Sequence, residues 1–215
     1  MQSPVQSPVQ SPMQTTLRTD RLLLRPWRDD DLDAFFRLSR DPAVMEFLLP
    51  LADRAASDAA VARLRDHGER HGFCFWALEL PGVSPFIGFA GLMQVAYEAH
   101  FTPAVEIGWR LGSAFWGRGY ATEAAGRALA HGFEDLGLEE IVALTVPANR
   151  RSRAVMERLG MSRSERDDFA HPRVPEGHPL KRHVLYRLRR QDWATRPAAG
   201  GGRTPPSARS AEAGR

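Results

Sequence analysis

The chain has one cysteine and no long apolar run among its 215 residues. The single cysteine, Cys74, excludes an internal disulfide framework and any metal site built from several cysteines. It lies in the apolar run FCFWALEL, where we expect a buried small side chain rather than a nucleophile. No segment reaches the ~18 apolar residues of a membrane span, and the N-terminus lacks the basic start and apolar segment of a secretory signal. We therefore expect a soluble, cytoplasmic protein without a membrane partner.

Lysine is almost absent as well, and the surplus of positive charge is confined to one end of the chain. The net charge is +3, and Lys181 is the only lysine. Residues 194–215 hold four arginines and one glutamate, which leaves 25 basic and 25 acidic residues before Ala194. Because a few tail arginines give only weak, salt-sensitive attraction to nucleic acid, we do not expect nucleic acid as a partner.

The ends of the chain differ in composition from its middle. Residues 1–14 contain a Gln-Ser-Pro repeat that has no amphipathic period, which predicts a disordered arm. Residues 194–215 are mostly Ala, Gly, Pro, Ser and Arg, which predicts a disordered basic tail. A single folded domain is therefore expected over residues 15–193.

Within this domain, helices come first, then a meander of strands, then alternating strands and helices. Apolar periodicity and turn residues predict strands at 21–25, 73–80, 86–95, 105–111, 141–146 and 183–188. They predict helices that begin near Asp29 and Pro42, and further helices within 53–70 and at 120–136 and 152–159. The inward stripe of the helix at 120–136 is expected to be Ala121, Ala125, Ala128, Leu129, Phe133 and Leu136. This order indicates a mixed α/β (α+β) domain rather than a doubly wound one.

The most informative stretch is a glycine-rich turn between a strand and a helix. Gly112, Gly117 and Gly119 follow the strand at 105–111 and precede the helix at 120–136. Glycine lets the main chain approach a ligand closely, and a helix N-terminus offers free N–H groups to an anion. The pattern therefore indicates a pyrophosphate cradle, although a plain loop would also account for the glycines. It is not a P-loop, because no Gly-Lys-Ser/Thr follows, and the preceding meander does not supply the parallel unit of a dinucleotide fingerprint.

Three segments in order, VEIGWRL, WGRGYATEA and VPANRRSRAVMERLGM, resemble the GCN5-related N-acetyltransferases (GNAT), and more narrowly their RimJ/RimL-like branch. The segments TDRLLLRPWRDDDLDAF, PFIGFAGL and HVLYRL extend the resemblance over residues 19–193. The resemblance implies a central, mostly antiparallel sheet that is splayed into a V and flanked by helices, with acetyl-CoA as co-substrate in the opening. No metal is expected, because the spacing of His171, His178 and His183 matches no common metal site.

The resemblance also implies which residues bind the coenzyme. Main-chain groups of 107–111 would meet the pantetheine, and those of the turn the pyrophosphate. Trp116 stands where the family usually has Gln or Arg, so only its main chain is expected to contribute. Arg118, Arg150, Arg151 and Arg153 could meet coenzyme phosphates. The cofactor-binding residues expected on this basis are Ile107, Trp109, Leu111, Trp116, Gly117, Arg118, Gly119, Tyr120, Ala121, Thr122, Asn149 and Ser152.

Glu106 is the expected general base. It lies in the strand that enters the turn, between apolar Val105 and Ile107, where burial would raise its pKa. The resemblance points to the same strand as the location of the base, although Glu106 could instead be an outward-facing polar residue. Ser152 is the expected acid for the leaving thiolate, because Met156 occupies the position where many family members have Tyr. Asn149 could cap the following helix, contact a ligand, or do both.

These residues predict an acetyl-CoA-dependent N-acetyltransferase that transfers directly to a primary amine in a ternary complex. The acceptor could be a protein N-terminal α-amine, as in the RimJ/RimL-like branch, or a small amine such as a polyamine or aminoglycoside. Its pocket is expected between the early helices and residues 167–182, with Trp27, Phe35, Phe47 and Trp76 as core or pocket wall. A non-catalytic acyl-CoA or nucleic-acid binding protein is the alternative, and a homodimer is compatible with the sequence.

Overall fold

The computed structural model describes residues 15–195, and within them nine strands form a sheet with the order β1-β2-β3-β4-β5-β6-β9-β7, while β8 pairs with β9. The strands are β1 (Leu17–Arg18), β2 (Leu23–Arg25), β3 (Phe75–Leu80), β4 (Ser84–Gln94), β5 (Val105–Leu111), β6 (Glu140–Thr145), β7 (Ser162–Arg163), β8 (Phe169–Ala170) and β9 (Arg182–Arg189). All neighbouring strands are antiparallel except β5 and β6. The predicted mixed α/β architecture with a mostly antiparallel sheet is confirmed.

Six α-helices accompany the described part of the sheet. They are α1 (Asp31–Leu38), α2 (Pro42–Met45), α3 (Arg54–His71), α4 (Tyr120–Ala130), α5 (Arg150–Arg158) and α6 (Arg190–Ala194). The carboxylate of Asp41 accepts from the Ala43 N–H at 2.9 Å and begins α2, and that of Asp53 accepts from the Ala56 N–H at 2.8 Å and begins α3. Within residues 15–195, no helix combines the length and apolar character needed to cross a membrane.

Several predicted boundaries differ from those observed. The helix predicted at 120–136 is α-helical only to Ala130 and continues as a π-helical turn over His131–Asp135. Its buried face includes Ala124, whereas Ala121 and Leu136 are only partly buried. Cys74 lies just before β3 rather than inside it, and the two-residue strands β1, β7 and β8 carry too few residues to show a period.

The predicted ends of the domain can be compared with the structure only in part. Helix α6 extends to Ala194, one residue beyond the predicted domain end. The predicted arm over residues 1–14 and the rest of the predicted tail, residues 196–215, lie outside the described residues.

The sheet separates two apolar layers. Side chains of one face, such as Trp76 and Leu92, pack with α4 residues that include Leu129. Side chains of the other face, such as Phe89, pack with Trp27, Phe35 and residues of α3. Because successive strand residues point to opposite faces, each strand of the meander contributes to both layers. Trp27 and Trp76 therefore belong to the core.

A buried ion pair joins the first helix to the sheet. The Arg25 guanidinium, only 2% exposed, donates two hydrogen bonds of 2.8 Å to the two carboxylate oxygens of Asp31, which begins α1. Its Nε donates to Glu79 of β3 at 2.9 Å. These carboxylates raise the pKa of Arg25. The ion pair therefore attaches the N-terminal end of α1 to strands β2 and β3.

Candidate active site

Strands β5 and β6 are joined at one position and then separate. Their paired residues are Glu106 and Val142. On its other side β5 pairs with β4 along its whole length, from Val105 opposite Gln94 to Leu111 opposite Gly88. The β6-facing edge of residues 107–111 therefore has no ladder partner within the described chain, and an extended ligand can bind such an edge as an added strand does.

The turn after β5 presents main-chain N–H groups at the N-terminus of α4. Gly117 and Gly119 have φ of +74° and +81°, which L residues with a side chain rarely adopt. No main-chain N–H from Gly117 to Thr122 forms a hydrogen bond with another described residue. Free N–H groups that converge at a helix N-terminus are the usual protein site for a phosphate. The geometry fits the pyrophosphate cradle expected from the sequence.

The turn is held against the first strands by a small polar network. The Glu123 carboxylate accepts from Thr19 Oγ1 at 2.6 Å, the Arg21 N–H at 3.0 Å and Arg21 Nε at 2.6 Å. These partners lower the pKa of Glu123, against the effect of its burial. Arg21 also donates to the Arg118 carbonyl at 3.0 Å and lies over the Tyr120 ring at 4.6 Å. The network fixes the direction in which the free N–H groups point.

The side chain of Trp116 supports the turn. Its indole N–H donates to the Leu111 carbonyl at 2.8 Å, and the Arg151 guanidinium lies 4.4 Å from the ring centroid. Arg151 in turn pairs with Glu46, just after α2, at 2.7 Å. The indole N–H is therefore engaged within the protein and is not free to donate to a phosphate.

Glu106 lies at the vertex where β5 and β6 separate. Its side chain is partly buried, and burial raises its pKa to about 7. The nearby charge of Arg173 acts in the opposite direction but offsets only part of this effect. A carboxylic acid with this pKa is about half ionised at neutral pH, which suits a group that must accept and release protons. The expected pKa shift is therefore present at the predicted residue.

Two further residues beside Glu106 were not expected from the sequence. The Tyr97 hydroxyl is buried and forms no hydrogen bond with the described residues, and its pKa is raised by burial and by the Glu106 carboxylate. Arg173 donates to the Ala96 carbonyl and lies 5.5 Å from the Tyr97 ring centroid. Tyr97 and Arg173 come from two connecting segments far apart in the chain. No local pattern could have paired them, although the acceptor segment expected at 167–182 does contain Arg173.

Asn149 and Ser152 lie at the start of α5, beside the same opening. The Asn149 side-chain oxygen accepts from the Ser152 N–H at 3.1 Å, and its Nδ2 donates to Thr145 Oγ1 at 3.0 Å. The helix-capping role of Asn149 is confirmed. The Ser152 hydroxyl forms no hydrogen bond within the described chain, while Met156 is buried at 2% exposure.

One continuous cleft contains nearly all the expected site residues. It is lined by Glu106, Ile107, Trp109, Leu111, Trp116, Gly117, Gly119, Tyr120, Ala121, Thr122, Asn149 and Ser152. Arg118 is exposed and does not line it, and Arg153 instead donates to the Tyr186 hydroxyl and the Pro147 carbonyl. Arg150 and Arg151 do line the cleft.

The far wall of the cleft comes from the early helices and the sheet face beneath them. Phe35, Val44, Phe47, Phe75 and Phe89 line this part. Cys74 is fully buried, and burial raises the pKa of its thiol to about 12, so it is not a thiolate nucleophile. In residues 15–195, no group of three or more His, Cys, Asp and Glu side chains is arranged to hold a metal ion.

Comparison with known proteins agrees with this geometry. The profile described as "Acetyltransferase (GNAT) domain" matches residues 21–162. The curated "FsC-acetyl coenzyme A-N(2)-transacetylase" of Aspergillus fumigatus is 30% identical over 188 residues, covering 82% of this chain and 77% of that protein. "Uncharacterized protein YkkB" of Bacillus subtilis is 32% identical over 150 residues, covering 69% of this chain and 86% of that protein.

Solved structures show the same fold. An acetyltransferase from Agrobacterium tumefaciens superposes with a TM-score of 0.64 at 29% identity, over 81% of this chain and 94% of that one. Mycobacterium smegmatis RimJ, solved in complex with CoA-disulfide, gives a TM-score of 0.68 at 24% identity, over 84% of this chain and 90% of that one.

The splayed sheet and the glycine-rich turn with free N–H groups agree with the acetyltransferase fold of these relatives. The chain belongs to the GNAT family of N-acetyltransferases.

Proposed function

We propose that this protein transfers an acetyl group from acetyl-CoA directly to a primary amine, and that the amine is a protein N-terminal α-amine. The observation that carries the proposal is the position of Glu106 at the vertex of the splay. There a desolvated carboxylate adjoins the unpaired edge of β5. The RimJ/RimL-like sequence of the turn, from Trp116 to Thr122, supports the choice of acceptor.

The residues present fit acetyl-CoA. The unpaired N–H groups of Gly117–Thr122 would hold its pyrophosphate, and the open edge of residues 107–111 its pantetheine amides. Arg150 and Arg151 line the cleft where further phosphate oxygens can be met. When bound, acetyl-CoA supplies an activated acyl carbon as a thioester.

Each remaining step is assigned to a residue of the chain. Glu106 removes a proton from the ammonium form of the acceptor, which is mostly protonated at neutral pH. A main-chain N–H of residues 107–111 donates to the acyl oxygen as negative charge develops on it. The amine nitrogen bonds to the acyl carbon and the carbon–sulfur bond breaks. Ser152 donates its proton to the leaving thiolate and regains one, through solvent, from the acylated nitrogen, which loses its second proton as the neutral amide forms. Because the Cys74 thiol is buried and un-ionised, we assign no covalent acetyl-enzyme.

A small-molecule amine is the second candidate acceptor. The Aspergillus fumigatus relative is named for transfer from acetyl-CoA to N(2) of FsC, and it covers most of this chain. The aromatic wall of Phe47, Phe75 and Phe89 provides the apolar lining common in small-molecule sites.

An amine panel with radiolabelled acetyl-CoA tests the proposal. Peptides with free α-amines, polyamines and aminoglycosides would be compared, with α-N-acetylated peptides as matched controls. We expect labelled product from free-amine peptides and none from their blocked forms. Acetylation of polyamines or aminoglycosides alone would transfer the assignment to the second candidate, and binding of coenzyme A without transfer to any amine would contradict both.

A further inference from the structure

Arg110 is a partly buried cation without an anionic partner among the described residues. It lies near the end of β5, and its guanidinium forms no hydrogen bond or ion pair with any residue of 15–195. The guanidinium lies over the Phe89 ring, 5.2 Å from the ring centroid. Burial lowers the pKa of Arg110 to about 10, and no carboxylate counters this effect. It stays positively charged at neutral pH, and a partly buried guanidinium without an anionic partner is free to bind an anionic group of a ligand.

Strand alternation places Arg110 in line with the predicted base. Glu106, Gly108 and Arg110 alternate along β5 and share the face beneath the early helices, because Ile107 and Leu111 pack on the opposite face. Between the two charged residues lies the ring of Phe75. A Cβ at Gly108 would lie 2.9 Å from that ring, so the glycine makes room for it. Phe75 in turn stacks on Phe89, with ring centroids 5.8 Å apart.

The cleft therefore holds a carboxylate at one end, an aromatic floor in the middle and an unpaired guanidinium at the other end. Glu106, Phe75, Phe89 and Arg110 all line it. The Cα atoms of Glu106 and Arg110 are four strand residues apart, or about 13 Å. Arg63 and Arg173 also line the cleft.

We propose that the acceptor amine carries an oxyanion, a carboxylate or a phosphate, at the far end of an apolar spacer, and that Arg110 binds this group while the amine lies at Glu106. The proposal rests on the proposed amine acetylation and adds the substrate class to it. Arginine suits the task, since its planar fork binds carboxylate or phosphate through two hydrogen bonds. A free α-amino acid is too short, because its amine and carboxylate share one carbon.

Matched acceptors that differ only in the distal charge test the proposal. The probes are ω-amino carboxylic acids with chains of about six to about twelve carbons, chosen to bracket the ~13 Å spacing. Each is compared with its carboxamide and its phosphonate, and short peptides with Glu or Gln near a free N-terminus form a second set. We expect kcat/KM to be about 30-fold or more higher for an anionic probe than for its amide, the scale of a desolvated charge pair.

Variants of Arg110 separate its role from that of the coenzyme site. Arg110→Gln should remove the preference for anionic probes and raise their KM, and Arg110→Lys should restore part of it, because the charge remains but the fork is lost. Arg37→Gln, at an exposed position outside the cleft, is the matched control. The affinity for coenzyme A, measured by calorimetry, and the melting temperature should stay near wild type in all three.

The outcomes distinguish this inference from the function on which it rests. Transfer to amines with no preference for an anionic probe overturns the inference and leaves amine acetylation standing. An Arg110→Gln protein that loses affinity for coenzyme A but keeps the preference also overturns it, since Arg110 would then bind the coenzyme. Coenzyme binding with no transfer to any amine contradicts the proposed function, and the inference fails with it.

Discussion

At the scale of single residues, the chemistry depends on how burial changes the charge of a few side chains. Glu106 has a pKa raised to about 7 because desolvation outweighs the nearby positive charge of Arg173. The Cys74 thiol lies in an environment apolar enough to raise its pKa to about 12. The chain neighbours of both residues are apolar side chains that pack in the core. Burial therefore brings the pKa of Glu106 into the neutral range and moves that of Cys74 further away from it.

The raised pKa of Glu106 makes stability depend on pH. The carboxyl group has a pKa of about 7 in the folded protein against 4.5 as a model value, so the folded state binds this proton more tightly. Its contribution is fully present below pH 4.5 and is lost as the pH rises through about 7. We expect the free energy of unfolding of Glu106→Gln, relative to wild type, to increase by about 1–3 kcal/mol between about pH 5 and about pH 8.

Urea denaturation at the two pH values measures this difference. Glu98→Gln, at an exposed glutamate in the connection between β4 and β5, is the control and should give the same difference at both. Equal behaviour of the two variants would mean that the Glu106 carboxylate is not desolvated in the folded protein.

Ser152 has a smaller expected effect than Glu106. A thiol titrates near 8.5, so a thiolate leaving group needs only a weak proton donor. We expect Ser152→Ala to lower kcat by about 3- to 10-fold, well short of the loss of a general base, with unchanged affinity for coenzyme A. Release of free thiol, followed with a chromogenic disulfide, measures kcat, and Ser162→Ala, at an exposed position in β7, is the control. A wild-type kcat in Ser152→Ala would remove Ser152 from the mechanism.

At the scale of elements, the strand–turn–helix unit from Val105 to Ala130 is the part that sequence predicts best. The bounds of β5 were predicted correctly, because its ends are defined by the Pro-Ala and glycine segments around it. The start of α4 was also correct, since Gly119 precedes it with φ +81°. The change to π-helix at His131 had no local signal, and it accompanies close packing of Gly132, where a Cβ would lie 2.7 Å from Ile141.

Two glycines with the same backbone geometry allow the turn to be tested. Gly117 and Gly82 both have φ +74°, and a Cβ at either would meet no atom within 4 Å. Alanine should strain both positions by about 1–2 kcal/mol. We expect Gly117→Ala to weaken coenzyme A binding by about 10-fold, because the strained turn no longer directs its N–H groups at the phosphates. Gly82→Ala is the control: it should lower the melting temperature by a similar amount and leave the calorimetric Kd for coenzyme A unchanged. Equal Kd values for the two variants would exclude the turn as the phosphate site.

At the scale of the whole molecule, the sheet brings together residues that no local pattern joins. Glu106 and the turn come from one segment, so a single stretch of sequence was enough to propose them together. Tyr97 and Arg173 meet beside Glu106 only because two connecting segments fold over the same end of β5. Arg110 was not predicted from the sequence. Its spacing of four residues from Glu106 is compatible with one face of a strand, but its lack of an anionic partner is visible only in three dimensions.

The basic C-terminal segment is expected to be dispensable for catalysis. The cleft is built from residues of the described domain, whose charge before Ala194 is balanced. Removal of residues 196–215 should leave kcat/KM within about 2-fold of wild type at low and high salt, because residues 15–195 supply every group that the proposed mechanism uses. A salt-dependent loss of activity in the shortened protein would show that these arginines attract the acceptor.

The most direct test of the account is the pH dependence of acetyl transfer by wild type and Glu106→Gln at saturating acetyl-CoA and amine. Because one amine is used for both proteins, its own titration cancels in the ratio of their rates. We predict that Glu106→Gln is slower by about 100-fold at high pH, and that this ratio shrinks as the pH falls below about 7, where the wild-type carboxylate becomes protonated. A ratio near one at every pH would contradict the assignment of Glu106 as the base.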